Sequence, residues 1–155
     1  LETSFIVKLL RPYHKNFHKR LIKSPKLYFL DSGLLCYLLG IQKPEELLMH
    51  PLRGAVFESW VIAEFYKHYY HGGKQPQMYY FRDTNNSERD LLLESGSGVL
   101  PVEIKSGQTI HSEFFKGIEY WRRLTGIPDA RAVLIHGGDT LTEFKGTTVI
   151  PWNLI

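Results

Sequence analysis

Two apolar runs joined by a Gly/Ser turn constrain this chain more than any other stretch: Asp90-Leu-Leu-Leu-Glu94, Ser95-Gly-Ser-Gly98 and Val99-Leu-Pro-Val-Glu-Ile-Lys105. Runs of this length, bounded by turn residues, read as a β-hairpin. Side chains alternate between the two faces of a strand, so Val102 and Ile104 share one face while Glu103 and Lys105 stand on the other. Asp90 opens the partner strand and reaches the same polar face. An acid on one strand, with an acid and a lysine two apart on the next, suits metal-assisted phosphodiester hydrolysis. The carboxylates hold a hard cation such as Mg²⁺, and the lysine steadies the attacking water or the developing negative charge. The same residue types also decorate the solvent face of ordinary hairpins, so the rest of the chain has to decide between the two readings.

Ahead of the hairpin, residues 4–10 are apolar and β-branched enough for a strand ended by Arg11-Pro12, and Leu27-Tyr-Phe-Leu30 reads as a second. The loop between them carries Lys15, Lys19, Arg20, Lys23 and Lys26, a positive tip suited to backbone phosphates. Asp31 or Ser32 caps a short helix over Gly33–Leu39 that Gly40 ends, and Pro44 opens another turn to His50. The strongest helical periodicity runs from Ala55 to His71, with Phe57, Trp60, Val61, Phe65 and Tyr69 as its expected core stripe. Glu58 shares a column with Ile62, Phe65 and Tyr69, so its carboxylate is at least partly turned inward and needs a partner. Met78–Arg82 and Arg89–Glu94 are strands, Ser112–Thr125 is a helix, Ala130–His136 an interior strand and Thr147–Pro151 a last short strand. None of His71, His111 and His136 has metal-ligand spacing to another histidine, so all three read as structural or solvent-facing.

The composition bounds the class. A chain of 155 residues with 43% hydrophobic and 23% charged residues suits a globular fold with a buried core. The net charge of +3 is compatible with nucleic acid but is far from that of a dedicated electrostatic binder. The single cysteine, Cys36, excludes an internal disulfide, suits a reducing, cytoplasmic setting and reads as a small buried hydrophobe. No apolar run approaches the roughly 18 to 20 residues of a membrane span, so no membrane role is expected. A start at Leu1, inside an apolar run, leads us to expect a piece of a longer protein.

The element order from Ala55 to His136 is helix, three-strand meander, helix, strand. This order, with Glu58 on the first helix, Asp90 on the second strand and Glu103-Ile-Lys105 on the third, resembles the PD-(D/E)xK nuclease superfamily. Arg89 departs from the proline that often precedes the motif aspartate. A narrower resemblance rests on Lys19–Leu35, His50–Glu58, Tyr80–Asp83, Arg89–Glu94 and Glu103–Gly107. These blocks are similar to the C-terminal domain of a large family of predicted prokaryotic AAA+ ATPases. The resemblance implies an α/β fold with a restriction-endonuclease-like core over 51–155 and a small hairpin and helical extension over 1–50, the end of a winged-helix-like region. It implies catalytic roles for Glu58, Asp90, Glu103 and Lys105, with Mg²⁺ or Mn²⁺ held by Asp90, Glu103, Glu58 and the Ile104 backbone carbonyl. It further implies an ATPase module in the parent chain, although no Gly-x-x-x-x-Gly-Lys-Ser/Thr occurs here. The alternative expectation is a non-catalytic accessory domain that binds nucleic acid or protein. There the acids survive as a polar network, and Tyr69, Tyr70, Tyr79 and Tyr80 offer a contact surface.

Overall fold

The computed structural model describes residues 1–14, 24–83 and 88–155. Along the chain come β1 (Val7–Pro12), β2 (Lys26–Phe29), α1 (Ser32–Leu38), α2 (Pro44–Met49), α3 (Arg53–His71), β3 (Met78–Arg82), β4 (Glu88–Ser95), β5 (Gly98–Lys105), α4 (Lys116–Thr125), β6 (Ala132–His136), β7 (Thr142–Phe144) and β8 (Thr147–Pro151). The fold is mixed α/β. Its strands form an eight-stranded mixed sheet in the order β2-β1-β3-β4-β5-β6-β8-β7. Contacts divide the chain into two compact units, Leu1–Leu9 with Leu27–Pro76, and Leu10–Lys26 with Gln77–Ile155. Among the described residues no helix is long and apolar enough to cross a membrane.

In the first unit, α1 and α2 pack on α3. The expected cap of α1 is present: the Leu34 N–H donates to Asp31 Oδ1 at 2.9 Å. Gly40, at φ 74°, turns the chain beyond it. Cys36 is half-buried, not buried as expected, because α1 contributes no fully buried residue. The buried face of α3 is Val56, Ser59, Ile62, Ala63 and Tyr66, with Val61 beside it. That corrects the expected stripe, of which only Val61 is fully buried. Ser59 and Ala63 are small enough to let the helix backbone approach its neighbours, and the larger Phe57, Trp60, Phe65 and Tyr69 flank this face half-buried. The first strand also begins later than expected. Phe5 adopts a positive φ of 55°, which bends the chain before β1 starts at Val7.

The second unit is built on the β3-β4-β5 meander. The β4–β5 hairpin closes at Ser95↔Gly98, and α4 returns the chain so that β5 and β6 run parallel with Glu103↔Leu134 and Lys105↔His136 in register. The 112–125 segment splits into a 3₁₀ turn over Ser112–Phe115 and then α4, which ends at Gly126 in the left-handed region (φ 70°). Tyr13, Phe81, Leu92 and Trp121 form one apolar cluster, and Phe115, Ile118, Ala132, Leu134 and Val149 another. The edge strand β7 was not expected from the sequence. It is three exposed residues long, too short for a period-two pattern to register.

Candidate functional site

The β4–β5 ladder ends at Leu91↔Val102, just where the polar residues begin. Beyond that point the Ile104 N–H donates to Asp90 Oδ2 at 2.8 Å. A side-chain carboxylate thus takes the place of a ladder carbonyl, and it ties the Asp90 side chain to the strand that carries Glu103 and Lys105. Lys105 Nζ lies 2.7 Å from Glu103 Oε1 and 3.7 Å from Asp90 Oδ2. The acid, acid and lysine expected from the sequence therefore do converge at the adjacent ends of β4 and β5.

The ordinary solvated face, the alternative weighed for this hairpin, does not hold at Glu103. Val102, Glu103 and Ile104 are all buried. α4 covers the face that carries Glu103: a Cβ built at Gly117 would overlap Arg89 Nη1 and lie 2.5 Å from Glu103 Oε2. Only a glycine lets the helix backbone come this close. Beneath it, Arg89 Nη1 donates to Glu103 Oε2 at 2.7 Å, with the two side chains only 6% and 8% exposed. Tyr120, one turn along α4 from Gly117, lies with its ring 5.7 Å from the Arg89 guanidinium carbon and donates its hydroxyl to the buried Asp83.

The two cations on Glu103 do unequal work. Lys105 is one-third exposed, so water screens its pair with Glu103, and such pairs contribute on the order of 1 kcal/mol or less. Arg89 meets Glu103 away from water, where an unpaired carboxylate would cost several kcal/mol. Arg89 is therefore the partner that allows an acid to be buried at position 103. The formal charges of Asp90, Glu103, Lys105 and Arg89 cancel, so the cluster is neutral as it stands.

The donor set suits a hard divalent cation, since Asp90 and Glu103 present carboxylate oxygens. Lys105 Nζ lies between these two carboxylates, so an ion that bridged them would have to displace the ammonium. Glu58 lies in the first unit on α3, half-buried as its column predicts, and its carboxylate accepts the Tyr28 hydroxyl. The expected need for a partner is met by the Tyr28 phenol.

Of the expected phosphate-binding residues, Lys15, Lys19, Arg20 and Lys23 lie outside the described residues. Lys26 is described, and it is engaged: Nζ lies 2.5 Å from Glu88 Oε1 and 5.8 Å from the centre of the Tyr80 ring. Tyr80 is buried and donates its hydroxyl to the Ser24 carbonyl, so it belongs to the core and not to the expected contact surface. Burial, then the Glu88 charge, pushes its phenol above the usual range. His136 is fully buried; Nδ1 accepts the Gly138 N–H at 3.2 Å, which leaves Nε2 to donate to the Thr140 carbonyl at 2.8 Å. That is the structural role expected of it.

Arg89, Gly117, Tyr120 and Asp83 were not singled out as site residues from sequence. Two signals pointed to the first two of them. An arginine on the strand that carries the run Leu91-Leu-Leu93 requires a partner once that strand is covered, and the nearest acid on the next strand is Glu103. A glycine inside a helical pattern costs about 1 kcal/mol and marks a close approach.

Comparison with known proteins places these residues in a family. Residues 53–155 match the family described as Domain of unknown function (DUF4143), and residues 1–45 match a second, Domain of unknown function (DUF8612). Similar relatives are Uncharacterized protein Rv2008c of Mycobacterium tuberculosis and Uncharacterized protein Mb2031c of Mycobacterium bovis. Each is 34% identical over 109 residues, which cover 70% of this chain and 24% of the relative. The chain thus spans about a quarter of the length of the curated relatives it matches. No solved structure matches. The first family match covers most of the chain and includes Glu58, Asp90, Glu103 and Lys105, so the chain belongs to the family described as Domain of unknown function (DUF4143).

Proposed function

We propose that this domain is a PD-(D/E)xK-type nuclease with a restriction-endonuclease-like core, hydrolysing DNA phosphodiesters with Mg²⁺ or Mn²⁺. The observation that carries the reading is the position of Lys105 Nζ, 2.7 Å from Glu103 and 3.7 Å from Asp90, at neighbouring strand ends. Asp90 and Glu103, with the Ile104 backbone carbonyl, would hold the ion. When bound it supplies Lewis-acid charge against the phosphate and lowers the pKa of a coordinated water. Lys105 orients the attacking water and offsets the charge that develops on the phosphate. Asp90 also fixes the strand end by accepting the Ile104 N–H. Glu58, on the resemblance, would complete the metal shell or bind a second ion, and E58Q tests it. The parent protein, on this reading, is a cytoplasmic prokaryotic AAA+ ATPase, and DNA phosphates contact Lys15, Lys19, Arg20, Lys23 and Lys26.

One observation favours a second reading. Both carboxylate oxygens of Glu103 are already in ion pairs, as in a polar network kept for structure by an accessory domain that binds nucleic acid or protein and regulates the ATPase. Calorimetric titration of Mn²⁺ and Mg²⁺ separates the two. Asp90→Asn is the comparison variant, because an asparagine oxygen can still accept the Ile104 N–H and leaves the Arg89–Glu103 pair intact. Binding lost in D90N, together with DNA cleavage lost in Lys105→Ala, supports the nuclease. Absence of wild-type binding at millimolar metal supports the accessory domain.

A further inference from the structure

We infer that Arg89 is the positioning residue of the proposed metal site, fixing the Glu103 carboxylate so that Oε1 faces Asp90 and Lys105. The inference rests on the metal-site reading above and adds to it a residue outside the acid, acid and lysine motif.

Three observations lead to it. Glu103 divides its oxygens: Oε2 goes to Arg89 beneath α4 and Oε1 to Lys105 at the open end of the strands. When a cation takes the Lys105 position, the Arg89 contact is the ion pair left to hold the Glu103 rotamer. The guanidinium is also confined, with the bare Gly117 backbone and the Tyr120 ring against it, so it cannot swing without moving the helix. Finally, the arrangement is costly. Arg89 Nε is buried and has no hydrogen-bond partner among the described residues. An apolar pair of similar volume would fill the same space without stranding a donor. Stability alone therefore gives no reason for the buried Arg89–Glu103 pair, whereas a carboxylate that has to be aimed does. A carboxylate tethered through its second oxygen is how outer partners orient metal ligands in general, and loss of such a partner weakens metal affinity about 10- to 100-fold.

Gly117 makes the inference testable by geometry as well as by charge. Gly117→Ala keeps every charge but drives a methyl into the space of Arg89 Nη1. The same methyl comes within 2.5 Å of Glu103 Oε2, so G117A reports on the geometry of the whole pair, while R89K, which keeps the charge and leaves Gly117 in place, isolates the contribution of Arg89.

The test is Mn²⁺ titration by calorimetry on the 155-residue chain, with thermal unfolding recorded alongside. Wild type, Arg89→Met, Arg89→Lys, G117A and D90N are compared. The expected result is wild-type binding, loss in D90N, and about tenfold or greater weakening in both R89M and G117A, with R89K in between. A role confined to stability would lower the melting temperature and leave the affinity of the folded protein unchanged. If wild type binds and R89M and G117A bind within twofold of it, the inference is overturned and the metal site stands. If wild type fails to bind, the metal reading falls and takes the inference with it. Should R89M not fold, R89K decides, since it retains the charge without the planar fork: wild-type affinity in R89K, with G117A also unchanged, overturns the inference.

Discussion

Replacing Glu103 by alanine tests the energetics of the whole site. The substitution leaves the Arg89 guanidinium buried beneath Gly117 with no carboxylate 2.7 Å away, and its Nε already lacks a partner among the described residues. Lys105 suffers less, because it is one-third exposed and can turn to water or to Asp90. The cost is therefore that of breaking one buried pair, about 3–5 kcal/mol. For a chain of this length each kcal/mol moves the melting temperature by about 2–4 °C, so E103A should melt roughly 6–20 °C below wild type. The double variant Arg89→Met with Glu103→Met removes both charges at similar volume and should regain most of that loss. The assay is a double-mutant cycle by urea unfolding, followed by circular dichroism. A cost below about 1 kcal/mol for E103A, or a double variant no more stable than E103A, would show that the pair is hydrated in solution. The account of Arg89 as the counter-ion that permits a buried acid would then be wrong.

Other perturbations test separate links. Tyr13 is buried and donates its hydroxyl to Glu94 at 3.1 Å; burial first, and then Glu94, pushes its phenol up to about 12. A phenol raised in the folded state contributes stability below its unfolded value near 10 and loses it as the pH climbs toward 12. Wild type should accordingly lose stability between pH 10 and 12 more steeply than Tyr13→Phe in urea unfolding. Arg122 donates to the carbonyls of Ala130, Lys145 and Gly146 at 2.8–3.0 Å, so Arg122→Met should cost about 1–3 kcal/mol and speed amide exchange around 145–147. At the end of α4, Gly126→Ala forces a side chain into φ 70° and should cost about 1–2 kcal/mol by thermal unfolding.

The hairpin and the placement of its acids were legible because they follow from alternation and a turn, which are local. Ile104 and Val102 fall on strand positions as read, and Asp90 reaches Lys105 because the hairpin register brings them together. The environment of Glu103 was not legible, for a tertiary reason. Whether the polar face of a strand meets water or a helix depends on what returns over it, and here α4 does so through one glycine. The register of α3 failed similarly: hydrophobic size favours Phe57 and Phe65 as core, whereas close packing chose the small Ser59 and Ala63. For β7, three exposed residues carry no periodicity at all. Arg89, which the sequence marks as a departure from proline, acquires its meaning only when Gly117 lies above it.

Lys105 gives the sharpest separation between the nuclease and the structural network, because its removal should move two observables in opposite directions. On the nuclease reading the ammonium occupies the place of the cation, so Lys105→Met removes an internal competitor. The competing pair is one-third exposed and worth about 1 kcal/mol, which corresponds to roughly fivefold tighter Mn²⁺ binding. The same change deletes the group that orients water and should abolish DNA cleavage. Stability should move little, since Arg89 continues to compensate Glu103. On the network reading no metal binds, there is no cleavage to lose, and K105M registers as a small loss of stability alone. A K105M protein that binds Mn²⁺ more weakly than wild type would contradict the nuclease account in its present form, because Lys105 would then be supporting the ion and not standing in for it.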